Sequence, residues 1–201
     1  MLSFIIVMKL SGSYQINLEK QKVWEALNDP EILKQAIPGC EEFIKNSDTE
    51  FSAKATNKIG PFNASFTGDI ELKELNPPNS YKISGSGNSP VGFASGEASV
   101  KLEDHENGTK LIYEVEANVG GKIAQVGSRL IDMTAKKMAD IFFGKFSELI
   151  SKDESSSSEE RSEASEQNFN DQITNNKKPN QKILIYSAVI LAAAIIIYSI
   201  F

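Results

Sequence analysis

The chain has 201 residues, with 21 Lys and Arg against 27 Asp and Glu and a formal net charge of −6. That length fits one folded domain of about 140–150 residues with accessory segments, and the acidity argues against nucleic acid as a partner, because phosphate binding needs a basic face. The lone Cys40 excludes an intramolecular disulfide framework, fits a reducing compartment and cannot supply a zinc site.

Met1–Leu10 reads MLSFIIVMKL, an apolar run too short to span a bilayer and without the basic leader or cleavage site of a signal peptide. Residues 1–7 are read as an N-terminal extension: either Phe4–Val7 lengthen the first strand, or the chain naturally starts at Met8. The domain is placed at residues 8–150. Leu10–Leu18 (LSGSYQINL) alternates apolar and polar residues, as a half-buried strand does. Leu18–Leu27 turns helical, with Val23, Trp24 and Leu27 on one face. A second short helix, EILKQAI, follows Pro30 and is stopped by Pro38 and Gly39. Phe43–Ile59 holds two strands about a turn at 46–48, and Gly60–Pro61 turns the chain into Phe62–Leu75. Asn76-Pro77-Pro78-Asn79 breaks that strand. Tyr81–Gly87, Phe93–Leu102 and Thr109–Val119 bring the total to about seven antiparallel strands.

From Gly120–Gly121 to about Ile150 the period becomes helical. At 100° per residue Ile123, Val126, Leu130, Met133, Met138, Ile141 and Phe142 cluster within about half the circumference, and Lys122, Gln125, Arg129, Asp132, Lys136 and Asp140 fall opposite. A helix of roughly 28 residues laid last over a curved sheet, in the order β-α-α-β6-α, is an α+β helix-grip architecture.

Residues 151–182 are dominated by Ser, Glu and Asp, with Phe169 the single aromatic residue. Such a segment buries too little apolar surface to offset its ordering entropy, so a disordered linker is expected, with a root-mean-square span of roughly 30 Å. Residues 183–201, ILIYSAVILAAAIIIYSIF, carry no charge. As a helix they would rise roughly 28 Å, close to the hydrocarbon thickness of a bilayer. Tyr186 and Tyr198 lie near the ends, and Lys177, Lys178 and Lys182 stand before the segment. A C-terminal transmembrane anchor is expected, with the domain on the cytoplasmic side.

Candidates for catalysis are few. His105, the single histidine, falls in the polar turn 103–108. Asp69, Glu71, Glu74, Glu97, Glu103, Glu114 and Glu116 occupy alternating strand positions, as on a solvated sheet face, and SGSGNSPVG lacks the Lys and following helix of a phosphate loop. No catalytic residue and no metal site is assigned. A sheet curled round one helix is instead a natural ligand pocket. Its walls would be Ile123, Val126, Leu130, Met133, Met138, Ile141 and Phe142 on the helix, with Phe62, Phe66 and Phe93 opposite, unless these residues simply pack a core. Gln125, Arg129 and Lys136 form either a solvated face, with Arg129 and Asp132 as an i,i+3 pair, or a docking surface for a partner.

The segments MKLSGSYQI, AIPGCEEF, KIGPFNASFTGDIEL, GFASGEASVKL and VGGKIAQVGSRLID followed by FFGKF resemble the CoxG family, named for the G-subunit of carbon monoxide dehydrogenase, within the START/Bet v 1-like (SRPBCC) superfamily of helix-grip ligand-cavity proteins. The resemblance covers residues 8–150. It implies a non-enzymatic adaptor that recruits a molybdenum-containing carbon monoxide dehydrogenase-like hydroxylase to the membrane, with quinone or lipid as a candidate occupant of the cavity and no metal or covalent cofactor of its own. The rivals are a lipid- or other hydrophobic-ligand-binding or transfer module independent of any dehydrogenase, and, less favoured, a cavity enzyme.

Overall fold

Residues that alternate in polarity over ten or more positions need a sheet with one dry face and one wet face. The computed structural model describes residues 5–163, with side chains through residue 152, and it meets that requirement with a single seven-stranded antiparallel sheet. The strands are β1 (Ile5–Ile16), β2 (Cys40–Lys45), β3 (Glu50–Ile59), β4 (Phe62–Asn76), β5 (Ser80–Ser89), β6 (Gly92–His105) and β7 (Gly108–Gly121). Their spatial order is β1-β7-β6-β5-β4-β3-β2. Strands β2 to β7 thus form a meander, while β1 closes on β7 at the far edge.

The crossing from β1 to β2 is made by α1 (Lys20–Ala26) and α2 (Pro30–Ala36). Asp29 caps α2: its Oδ1 accepts from the Glu31 and Ile32 amides at 2.8 and 3.3 Å, and Pro30 fills the first turn, where its missing N–H costs nothing. Thr109, fully buried, donates its hydroxyl to the Leu18 carbonyl at 2.7 Å and ties the start of β7 to the end of β1.

Strand Ile5–Ile16 includes residues 5–7, paired with Gly120, Val119 and Asn118 of β7. Strand pairing thus reaches back to Ile5. Phe4 lies outside the described residues.

The last element is α3 (Ser128–Glu163). It lies across the dry face and buries Ile131, Ala135, Met138, Ala139, Phe142, Phe143, Phe146 and Ile150. Two differences from the expected helix follow. First, β7 persists to Gly121, and a 3₁₀ turn (Ile123–Val126) intervenes before the helix starts. Gly127, at φ 90°, separates that turn from α3, so Ile123 and Val126 do not share a helical phase with Leu130 and beyond. Second, α3 continues past Ile150, where the sequence places the linker. Residues 164–182 of that linker and the apolar stretch 183–201 lie outside the described residues. Among the described residues, no helix is long and apolar enough to cross a membrane.

Close packing of β6 on β7 sets one strict demand. Gly96 pairs with Ala117, and a Cβ at Gly96 would sit 2.5 Å from the Ala117 Cβ and 2.6 Å from the Glu116 carbonyl oxygen. Because the obstruction is backbone and a methyl group on a central strand, Gly96→Val is expected to cost about 3 kcal/mol or more. Urea unfolding followed by circular dichroism measures this, and a change under 1 kcal/mol would show that the two strands are not in this register.

Candidate functional site

Three surfaces could carry function: the interior between sheet and α3, the outward side of α3, and the wet face of the sheet. The interior is lined on the sheet side by small residues. Ala53, Ala55, Ala64, Ala94, Ala98 and Ala117 all point inward and are buried. Facing them is an aromatic cluster on α3, in which Phe142 packs edge-on to Phe143 at 5.0 Å and stacks with Phe146 at 5.7 Å. Phe143 in turn stacks on Tyr14 at 4.0 Å and Tyr113 at 5.5 Å.

Half-buried Tyr14 and buried Tyr81 differ in how their hydroxyls are satisfied. The Tyr14 hydroxyl donates to Asp140 and pins β1 to α3. Burial, then that hydrogen bond, drives its pKa up. Tyr81 on β5 meets Trp24 of α1 edge to face at 5.3 Å. Its hydroxyl is buried without a protein partner, and burial alone drives its pKa up.

Of the residues expected to line a cavity, Phe66, Ile123, Met138 and Phe142 are buried in this interior. Phe62 and Val126 are half-buried at the end of the sheet. There the Gly60 turn approaches α3, with Leu130 Cδ2 3.4 Å and Val126 Cγ1 3.7 Å from a Cβ built on Gly60. The other four residues sit elsewhere. Phe93 lies on the wet face of β6, its ring against Gly120 of β7. Met133 and Ile141 are 62 and 42% exposed on the outward side of α3, and Leu130, 37% exposed, lies at the edge of that side with one methyl against the Gly60 turn. The broken phase at Gly127 explains the displacement: with the helix starting at Ser128, the dry stripe is centred on Ala135, Phe142 and Phe146. Gln125 is exposed in the 3₁₀ turn, and Arg129 and Lys136 are exposed on α3.

The wet face holds a feature that sequence reasoning missed, an open trough of 710 Å³ whose walls include Glu50, Asp69, Glu71, Ser84, Ser86 and Glu97. Strand register builds it. Glu50 faces Glu71 across β3–β4, and Glu97 faces Glu116 across β6–β7. Like charges directly opposite repel; Lys73 at 3.2 Å from Glu71 and Lys9 at 2.8 Å from Glu116 offset this. The signal in the sequence was the alternation of carboxylates and serines, but which strands meet is a register question that one sequence does not answer. Asp69, Glu71, Glu74, Glu97, Glu114 and Glu116 are all exposed. Among the described residues, no group of three His, Cys, Asp or Glu side chains is placed to hold a metal ion.

His105 is exposed in the β6–β7 turn. Cys40 is half-buried, donates its thiol to the Glu42 carbonyl at 3.3 Å, and has its pKa pushed up to about 11, chiefly by burial. A thiol so placed is a poor nucleophile. Alkylation by iodoacetamide at neutral pH should run on the order of a hundredfold slower in the native protein than after denaturation; equal rates would overturn this reading of the site. The same raised values predict an alkaline weakness. Cys40, Tyr14 and Tyr81 all stay protonated in the fold at pH values where the unfolded chain ionises. Their contribution is therefore fully present below about pH 8.5 and is lost as pH rises through the tyrosine range. The urea midpoint should fall steadily from about pH 8.5 to 11, and a flat profile would contradict it.

A family model described as the G-subunit of carbon monoxide dehydrogenase (CoxG) matches residues 12–151. The chain belongs to the CoxG family. Among solved structures, a protein from Geobacillus kaustophilus is similar at 29% identity and a TM-score of 0.69, covering 72% of this chain and 96% of its own. A protein from Rhizobium leguminosarum reaches a TM-score of 0.60 at 12% identity, over 76% of this chain and 99% of its own. One from Staphylococcus aureus reaches 0.58 at 12% identity, over 75% and 98%. The last two likenesses speak to the fold alone. No curated protein matches the chain. The CoxG match begins at Gly12 and ends at Ser151, so it takes in β1 from Gly12 onward, β2 to β7, both short helices and the buried part of α3. It leaves out residues 183–201.

Proposed function

We propose that this CoxG-family chain is a non-enzymatic accessory protein that holds a molybdenum-containing carbon monoxide dehydrogenase-like hydroxylase at the cytoplasmic face of the membrane. The observation that carries the reading is the CoxG match over residues 12–151, most of the folded domain. Beside it, the uncharged stretch 183–201 with its preceding lysines has the length and flanks of a membrane anchor. The folded domain would then present its surface to the enzyme, and residues 151–182 would join it to the bilayer. The chemistry of the side chains suits an adaptor: the carboxylates lie on the solvated sheet face, and the one thiol is held protonated. Affinity purification of the tagged full chain from gently solubilised native membranes tests the proposal. Molybdopterin, iron–sulfur and flavin subunits of one hydroxylase should co-purify; their absence would sink it.

A second reading, a hydrophobic-ligand-binding module with quinone or lipid as cargo, is favoured by the Tyr81 hydroxyl, buried on the inner face of the sheet without a protein partner. A ligand carbonyl could accept from that phenol. Solvent extraction of the purified full chain followed by mass spectrometry should then release one quinone or lipid per chain, and Tyr81→Phe should lower its retention. An extract without stoichiometric ligand removes this reading and leaves the adaptor.

A further inference from the structure

We propose, on the membrane-anchored reading above, that the outward face of α3 docks on an anionic lipid bilayer and lays the domain flat beside its own anchor. The face is amphipathic in an unexpected direction. Leu130, Met133, Lys137 and Ile141 follow one another at helical spacing and fall within about 80° at 100° per residue. Three of them are apolar and 37–62% exposed. Arg129 and Lys136 flank this stripe on one side and Lys145 on the other, all exposed. The nearby anions are largely engaged: Asp140 accepts from Tyr14, and Glu148 lies 2.6 Å from Lys152. Asp132 is the remaining one. In a chain of net charge −6, this is a local reversal of sign.

Apolar side chains ringed by Lys and Arg are the signature of a helix lying in a bilayer interface. The apolar groups enter the acyl boundary, and the cations reach anionic headgroups on flexible stems. The chain beyond α3 favours the same occupant. From Glu163 only 19 residues, 164–182, precede the apolar stretch, and a flexible coil of that length would have a root-mean-square reach of roughly 25 Å. With α3 parallel to the membrane, its C-terminal end already lies at the bilayer, so a tether of that reach suffices. Confinement by the anchor also raises the effective concentration of the face at the surface, so a weak interfacial contact is populated. Because the sheet lies behind α3, its acidic trough then points away from the membrane, where anionic headgroups do not repel it.

The test uses the full chain with Cys40→Ser, labelled with an environment-sensitive fluorophore at a single introduced cysteine: Met133→Cys or Ile141→Cys on the face, Ser86→Cys in the trough. It is reconstituted into vesicles of phosphatidylcholine alone or with about one third phosphatidylglycerol, and membrane association is followed by flotation. The face probes should blue-shift and brighten severalfold in the anionic vesicles, the trough probe should not, and K136E/K137E/K145E or half-molar salt should abolish the change. A chain that floats while its face probes stay water-like overturns the inference and leaves the anchor standing. Face probes that respond equally in both lipids, or in detergent without vesicles as chain concentration rises, overturn it too, the latter in favour of a second copy of the chain. A chain that floats only with anionic lipid, and no longer does so as the charge-reversal variant, supports the inference while the anchor reading fails.

Discussion

Truncation after Lys182 is expected to move nearly all of the chain from the membrane to the soluble fraction. Eleven of the nineteen residues removed are Ile, Leu, Val or Phe, and at about 0.3–0.6 kcal/mol each in a membrane helix they would supply roughly 3–7 kcal/mol of insertion free energy. The stretch has no charged side chain, and Lys177, Lys178 and Lys182 precede it. The residual α3 contact is interfacial and salt-sensitive, so it should hold only a small, salt-extractable remainder. Fractionation of cells expressing the full and truncated chains, with a high-salt and an alkaline wash, separates the cases. The full chain should resist both washes. A truncated chain that also resists the alkaline wash would mean that residues 183–201 are not the anchor. If the proposed adaptor role holds, hydroxylase activity should shift to the soluble fraction along with the truncated chain, while total activity changes little.

Much of the fold was legible because its signal is local. Alternation along Leu10–Leu18 and Phe62–Leu75 names strands without any knowledge of their neighbours. Prolines at 30, 38, 77 and 78 mark boundaries through backbone sterics alone. The edges of that legibility have physical causes. Gly127 resets the helical phase, and nothing in a periodicity count announces that a 3₁₀ turn precedes the helix. Leu130, Met133 and Ile141 consequently read as inward when they face outward, whereas Phe143 and Phe146, two of the main core residues of α3, received no assignment. The acidic trough was illegible for a different reason. Its residues come from five strands, β3 to β7, and only register, such as that of Glu50 on Glu71 and of Ser84 on Glu97, gathers them. Phe93 shows the same limit on the opposite sign: an aromatic residue in an alternating strand reads as inward, and here its ring covers the glycine across the strand on the wet side.

Phe142→Ala is expected to lower the unfolding free energy by about 3–5 kcal/mol, because a large buried ring is removed and the space it leaves cannot fully collapse. The ring is inaccessible to solvent, and its neighbours Phe143 and Phe146 are held on the same helix at 5.0 and 5.7 Å. They cannot move inward without displacing α3. For a domain of about 150 residues such a loss lowers the melting temperature by roughly 6–20 °C. Met133→Ala, on the same helix but 62% exposed, should change stability by less than about 0.5 kcal/mol. The pair discriminates between the two readings of the interior. If Phe142 packs a dense core, the full cost appears in the ligand-free protein. If instead it lines an open chamber, the ring already lacks partners on one side, so its removal costs under about 1.5 kcal/mol in the empty protein. The remainder of the loss then appears as weakened retention of quinone or lipid. Chemical denaturation of the delipidated wild type and both variants, repeated after adding back the extracted lipid, measures the two quantities in one series. A large cost in the delipidated protein assigns the interior of α3 to stability and leaves its outward face as the surface on which function is built.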